Sequence, residues 1–270
     1  MPIALTIAGS DPSGGAGIQA DLKTFTVLGV YGAAVITALT SQSTRGVKGI
    51  HRVPAAFVAQ QIDVLADDLT VAATKTGMLH DRATVLAVAE AVRRHALHPL
   101  VVDPVMVATS GDVLLEDDAI AAYLSDLIPL TDVLTPNLGE AARLLERPVA
   151  RDEDEMLDQA RALQALGCKA VVMKGGHGTG PEALDLFLGP DGEVLRMAKP
   201  RIATPNTHGT GCTFSAALAA GLARGEPPPA AVSGAKEFVH AALEAGKELQ
   251  IGHGSGPVDH LFCSPLQKGP

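Results

Sequence analysis

An open, mostly parallel α/β sheet in three layers, with helices on both faces, is the fold the sequence predicts. Three observations lead there. Short apolar runs rich in β-branched residues recur along the chain, turn-forming Gly, Asp and Pro close them, and amphipathic stretches of helical length separate them. That spacing is what parallel strands need for their crossover connections. The composition agrees: 47% hydrophobic residues, only 3% aromatic, 28 Gly, 18 Pro and no Trp describe a core of Ala, Val, Leu and Ile joined by tight loops. Such a chain can bury enough apolar surface to fold.

Ile3 to Ala8 is a continuous apolar run that closes on Gly9-Ser10-Asp11-Pro12-Ser13-Gly14-Gly15. It reads as a strand buried on both faces. Ile18 to Leu28 follows, with Ile18, Leu22, Phe25 and Leu28 on one helical face and Gly29 as the stop. Further strands are expected at Ala33 to Leu39, Ala73 to Gly77, Leu100 to Asp103, Val133 to Thr135 and Ala170 to Met173. Between them, helices are expected at Pro54 to Leu69, Arg82 to His95, Asp117 to Ile128 and Glu153 to Leu166. Ala183 to Leu188 and Val194 to Met197 flank Gly189-Pro190-Asp191-Gly192, a hairpin signal. Helices from about Thr213 to Ala223 and Ala230 to Leu249 complete the pattern. No Ser/Gly linker, charge block or repeat divides the 270 residues, so 1–270 is read as one domain.

The balance of 21 Lys and Arg against 30 Asp and Glu gives a net charge of −9. A sequence-independent nucleic-acid binder is thereby disfavoured, because its affinity comes from cations on phosphates. Cys168, Cys212 and Cys263 show no CxxC spacing, which points away from disulfide frameworks and structural zinc and toward a reducing cytosol. The N-terminal apolar run has no cationic flank and breaks at Gly9, too short for a signal or membrane segment. His51, His95, His98, His240, His253 and His260 follow no ligand spacing, and surface or loop roles are expected for them.

In open parallel sheets, ligands sit outside the carboxyl ends of the strands. The loops Gly9 to Gly17, Thr40 to Gly46, Gly77 to His80, Asp103 to Gly111, Pro136 to Glu140 and Lys174 to Gly180 share that address. In His208-Gly209-Thr210-Gly211-Cys212, backbone N–H groups at a helix N-terminus can cradle an anion; an ordinary glycine turn with a small core cysteine is the other reading. Lys174 ends a strand, as a phosphate-binding lysine would and as a solvated loop lysine also would. Asn137 and Glu140 have capping-box spacing, while Glu140 with Asp103 could equally hold Mg²⁺. Asp103 could instead cap a turn through Pro104, and Asp21 could complement a helix dipole. Neither GxxxxGK[ST], GxGxxG nor GxSxG occurs in these loops.

Taken together, Gly9-Ser10-Asp11-Pro12-Ser13-Gly14-Gly15-Ala16-Gly17-Ile18-Gln19-Ala20-Asp21, Thr76-Gly77-Met78-Leu79, Thr135-Pro136-Asn137-Leu138-Gly139-Glu140, Met173-Lys174-Gly175-Gly176-His177 and His208 to Cys212 resemble the hydroxymethylpyrimidine/phosphomethylpyrimidine kinases of thiamin biosynthesis. These form a branch of the ribokinase-like superfamily, and the resemblance runs from about Ile3 to the Gly254-Val258 stretch. It implies an ATP- and Mg²⁺-dependent cytoplasmic enzyme, usually a homodimer, that phosphorylates 4-amino-5-hydroxymethyl-2-methylpyrimidine and then its monophosphate. By position it implies that Gly9, Asp21, Gln42, Met78 and Val105 meet the pyrimidine. Lys174 with Gly209, Thr210 and Gly211 would meet the phosphates, Asn137 the nucleotide, and Asp103 and Glu140 the magnesium.

Cys212 stands where the wider superfamily usually has an Asp base. A monophosphate acceptor is already anionic and needs no base, and a fixed carboxylate would repel it. For the first transfer, Cys212 is expected to act as base, its thiol acidified by the helix N-terminus. Related pyridoxal kinases share the framework, so a vitamin B6 kinase is the alternative activity, and a non-catalytic pyrimidine or nucleotide binder the alternative class.

Overall fold

The computed structural model describes residues 1–108, 111–112, 114–176 and 180–264. His177, and with it the end of the motif at Lys174, lies outside the described residues. Nine strands form one sheet: β1 (Ile3–Ser10), β2 (Tyr31–Ser43), β3 (Gly46–Arg52), β4 (Ala73–Thr76), β5 (Leu100–Val102), β6 (Val133–Leu134), β7 (Ala170–Lys174), β8 (Glu182–Leu188) and β9 (Val194–Pro200). Their spatial order is β3-β2-β1-β4-β5-β6-β7-β8-β9. The six strands from β2 to β7 in that order are parallel; β3, β8 and β9 join antiparallel at the two edges.

Side chains alternate across the sheet, as a period of two requires. Leu5, Ile7, Leu100, Val102, Val171 and Met173 pack on one side with Val58 and Ile62 of α2 (Ala55–Asp68), Val85, Val88 and Val92 of α3 (Arg82–His95) and Leu163 of α6 (Glu153–Gln164). Ala4, Val101, Ala170 and Val172 pack on the other with Phe25 of α1 (Gly17–Val27), Phe214 and Leu218 of α7 (Thr210–Ala223) and Val232 of α8 (Pro228–Gly246). The predicted three layers are thus present. α7 is apolar on every side because it is sandwiched between the sheet, α1 and α8. Its alanines keep it narrow enough to fit.

Three expectations change. The segment 40–46, expected as a loop, is the tip of the β2–β3 hairpin, so Gln42 sits on a strand. The residues there are polar throughout and alternate between exposed and half-buried, as in an edge hairpin with one face open to solvent. The helix expected over Asp117 to Ile128 is α4 (Asp117–Ala122) followed by a π-helical turn at Tyr123–Leu127 and a 3₁₀ turn at Ile128–Leu130 ending beside Pro129. Finally, α7 begins three residues earlier than expected, which makes Gly209 its N-cap and Cys212 its third residue. Among the described residues no helix is long and apolar enough to cross a membrane.

Candidate active site

The sheet order sets the carboxyl ends of β1, β4, β5, β6 and β7 side by side, and a cavity of about 690 Å³ lies over them. Gly9, Gln42, Met78, Val105, Asp103, Asn137, Glu140, Lys174, Gly209, Thr210, Gly211 and Cys212 all line it. Asp21 does not. Its carboxylate is fully buried, held by Lys75 Nζ at 2.8 and 3.0 Å and by the Thr6 hydroxyl at 2.6 Å. The expected direct contact of Asp21 with a pyrimidine is therefore corrected: its carboxylate is fully buried, bonded to Lys75 and Thr6, and is not part of the cavity lining.

Lys174, the last residue of β7, places Nζ 2.8 Å from Oδ1 of Asp103, just past the end of β5. Ser215 of α7 donates to Asp103 Oδ2 at 3.3 Å. A Cβ at Gly211 would lie 3.4 Å from Lys174 Nζ, so the glycine lets this cation stand over the first turn of α7. Burial pushes the Lys174 ammonium toward neutrality, but the carboxylates of Asp103 and Glu140 outweigh burial and hold it charged. The site is a cation beside the N-terminal amides of a buried helix, an arrangement suited to an anion.

Asn137 and Glu140 form the complete capping box of α5 (Leu138–Leu145): Asn137 N–H donates to Glu140 at 2.7 Å and Glu140 N–H to the Asn137 side chain at 2.9 Å. The cap does not exhaust the glutamate, which also faces the cavity. Burial pushes its carboxyl up to about 7, against the pull of Lys174 and with the push of Asp103. Asp103 and Glu140 therefore crowd one lysine with two carboxylates, a hard-oxygen set that a divalent cation would relieve. Among the described residues no three His, Cys, Asp or Glu side chains group to cage a metal by themselves.

Cys212 differs from expectation. Burial pushes its thiol up to about 11; Lys75 and the Gly17 N–H pull it down, Asp21 and Asp103 push it up. The Gly17 amide and the Lys75 charge do not compensate for loss of water around a thiolate, so the thiol is protonated at neutral pH.

Several residues at the site went unread in the sequence. Lys75 lines the cavity wall from the middle of β4; a charge inside a strand buried on both faces was the available signal. Asp185 accepts from the Gly175 N–H at 2.9 Å and from Lys236 at 2.7 Å, bracing the backbone next to Lys174 from α8. Asp11 meets His208 at 2.7 Å. His260, expected at the surface, is instead buried, with Nε2 2.9 Å from the Thr213 hydroxyl, and burial lowers its basicity to a pKa of about 4. His240, expected there too, lines the cavity.

Residues 11–259 match the family model described as phosphomethylpyrimidine kinase. Among curated relatives, the hydroxymethylpyrimidine/phosphomethylpyrimidine kinase of Rhizobium meliloti is 56% identical over 96% of this chain and 97% of its own. Among solved structures, the ADP complex of Bacillus subtilis pyridoxal kinase has a TM-score of 0.88 at 35% identity, covering 97% of this chain and 98% of that one. The pyridoxal kinase of Staphylococcus aureus in complex with AMP-PCP and pyridoxal has 0.89 at 32% identity, covering 98% and 96%. On sequence and fold alike, the chain belongs to the phosphomethylpyrimidine kinase family.

Proposed function

We propose that this chain transfers the γ-phosphoryl group of ATP to the hydroxymethyl group of 4-amino-5-hydroxymethyl-2-methylpyrimidine, and then a second phosphoryl group to the resulting monophosphate, in thiamin biosynthesis. The observation that carries the reading is one cavity with two unlike ends. Lys174, Asp103, Glu140 and the first amides of α7 gather at a charged end, while Gly9, Gln42, Met78 and Val105 offer a small apolar and amide-lined end. The 56% identity to a pyrimidine kinase, against 32–35% to the pyridoxal kinases, favours the pyrimidine acceptor.

In a loose phosphoryl-transfer transition state, negative charge spreads over the oxygens of the moving group. Lys174 supplies a fixed positive charge there, and the Gly209 to Cys212 amides supply donors that need no reorganisation. Asp103 and Glu140 would hold Mg²⁺, which when bound neutralises charge on the nucleotide phosphates. Gln42 offers a donor and an acceptor to the amino group and ring nitrogens of the pyrimidine. Met78 and Val105 pack on its faces.

Cys212 serves as base for the hydroxymethyl proton in the first transfer, acting from the minor thiolate form. With the thiol near 11, that form grows roughly tenfold per pH unit across the neutral range. The first transfer therefore accelerates as pH rises, and the second, whose acceptor is already anionic, does so much less. Cys212→Ala should harm the first transfer more, and Cys212→Asp the second; equal losses in both steps for both variants would remove Cys212 from this role.

The direct test is ADP release with Mg-ATP and, in parallel, the pyrimidine, its monophosphate and pyridoxal. Turnover of the first two with little on pyridoxal supports the assignment. Turnover of pyridoxal alone moves it to vitamin B6 salvage, and no ADP from any acceptor rejects the catalytic reading. The same reading takes the working form as a cytosolic homodimer. Tyr31 and Leu39 of β2 and Phe57 and Val64 of α2 are exposed apolar residues that a partner would cover. Sedimentation velocity at micromolar concentration tests this, and a monomer there rejects it.

A further inference from the structure

Asp11 lies in the glycine-rich loop after β1 and is almost wholly buried, yet nothing in the chemistry above uses it. Its Oδ1 accepts from the Ser13 N–H at 2.8 Å. Its Oδ2 accepts from the Ser13 hydroxyl and the Ala16 N–H, both at 2.9 Å, and lies 2.7 Å from Nε2 of His208. Burial pushes the Asp11 carboxyl up, but the bonds from His208 and Ser13 outweigh it and leave the acid below its ordinary range. The carboxylate is therefore ionised and has no proton to give, so His208 Nε2 is the donor.

The two partners stand immediately beside two helix starts. Ala16 is the N-cap of α1, and His208 precedes Gly209, the N-cap of α7. The loops also touch directly. A Cβ on Gly209, which has φ of +79°, would run into the carbonyl of Gly15, and a Cβ on Gly15 would run into the His208 ring. A third segment joins them, because the His208 N–H donates to the Gly256 carbonyl at 3.0 Å. One carboxylate thus grips the N-cap amide of α1 and the residue just before the N-cap of α7, across 197 residues of sequence. Burying charge is costly, and it is tolerated here because every oxygen of the carboxylate is hydrogen-bonded.

We propose that Asp11 and His208 are positioning residues for phosphoryl transfer: their bond clasps the two glycine loops and thereby fixes the first-turn amides of α7 and Cys212 against the N-terminus of α1. The proposal rests on the kinase reading of the cavity, which wild-type turnover in the same assay tests separately. Misplacement of aligned groups by about 1 Å can cost about 100-fold in rate. The clasp therefore acts on kcat, whereas a residue that merely holds the fold together lowers the fraction folded and leaves kcat per folded molecule alone.

The decisive comparison is His208→Phe, which keeps the ring and loses the donor, against His208→Gln, whose amide N–H can still reach Asp11. His208→Phe is expected to lower kcat of the folded protein by about 10- to 100-fold with both KM values within about threefold. His208→Gln is expected to recover most of that loss. Wild-type kcat in the folded Phe variant, or equal loss in both variants, overturns the clasp. Should His208→Phe not fold, Asp11→Asn is read by iodoacetamide alkylation of Cys212 in a Cys168→Ser, Cys263→Ser background. An amide N–H₂ facing the Ser13, Ala16 and His208 donors would part the loops, and alkylation several-fold faster than in the same background with Asp11 is expected. An unchanged alkylation rate overturns the proposal.

Discussion

Two lysine–aspartate pairs at the heart of this molecule share a closest N–O distance of 2.8 Å and have opposite surroundings. Lys75 and Asp21 are both 0% exposed, and the pair is closed on itself: both oxygens of Asp21 accept from Lys75, and one also accepts from Thr6. Burial alone would neutralise Lys75, but Asp21 outweighs it and keeps the ammonium charged. Lys174 and Asp103 keep side-chain exposures of 13% and 2% at the cavity wall, and the Lys174 ammonium makes one hydrogen bond among the described residues. An ammonium has three N–H donors. Both lysines line the cavity; the difference is that Lys75 spends two of its three N–H donors on a fully buried carboxylate, whereas Lys174 spends one and keeps more bonding capacity toward the cavity.

The comparison breaks most readily at Lys174. Lys174→Met removes a cavity cation that stands over the α7 turn, and loss of such charge stabilisation is expected to lower kcat/KM by about 10²- to 10³-fold. Its effect on unfolding in denaturant is expected to be smaller than that of Lys75→Met, because Asp103 stands at the cavity wall and keeps the Ser215 and Thr135 hydroxyls as partners. Lys75→Met leaves the fully buried Asp21 carboxylate without its cation and with the Thr6 hydroxyl still bonded to it, at a cost of about 3–5 kcal/mol in stability. Lys75→Met with Asp21→Leu removes both charges and should restore most of that stability. If the two single variants lost stability equally, and activity equally, the division into a sealed and an open pair would fail.

The same division explains what could be read from the sequence. Parallel strands buried on both faces announce themselves as apolar runs, which is why β1, β5 and β7 were legible, as was the Arg82–His95 helix; the structure adds that Asp81 caps it and that its last turn is basic. Loops at the carboxyl ends carried the site, and their residues could be placed at one edge by topology alone. The sealed pair was not legible. Lys75 sits between two threonines in a four-residue strand, and only the packing of α1 reveals that Asp21 faces it. The β2–β3 hairpin was hidden for another reason: its polar, half-exposed residues lack the apolar run that marks a central strand. Asp11 and His208 are distant in sequence, and no local pattern pairs them. The acidity of Cys212 was misjudged because position at a helix N-terminus is visible in sequence, whereas burial, the larger effect here, is not.

Glu140 sharpens the comparison, since it joins the open pair yet also caps α5. Its carboxyl, ordinarily at 4.5 and raised to about 7 in the folded protein, adds stability that is fully present below 4.5 and is lost as pH rises through about 7. Glu140→Gln keeps the capping box, because Gln serves at that position, and removes the charge. The variant should therefore lose this pH dependence of stability between 4.5 and 7 while retaining its helix. If the carboxylate holds magnesium, the Mg²⁺ concentration for half-maximal activity should also rise by about tenfold. An unchanged magnesium requirement would return Glu140 to a purely capping role.

The smallest effect is expected at Tyr123, on the π-helical turn. Its hydroxyl is buried with no hydrogen-bond partner among the described residues, and burial, with Asp103 and Glu140 adding to it, pushes its pKa up. Here bonding capacity is spare but sealed from the cavity, the combination that the two ion pairs separate. An unpaired buried hydroxyl is a cost of about 1–3 kcal/mol without a compensating bond. Tyr123→Phe should therefore leave activity unchanged and be neutral or stabilising by up to about 1 kcal/mol. A loss of stability would show instead that a buried water satisfies the hydroxyl, and would extend the polar network of Asp103 and Glu140 through the sheet to the layer of α3 and α4.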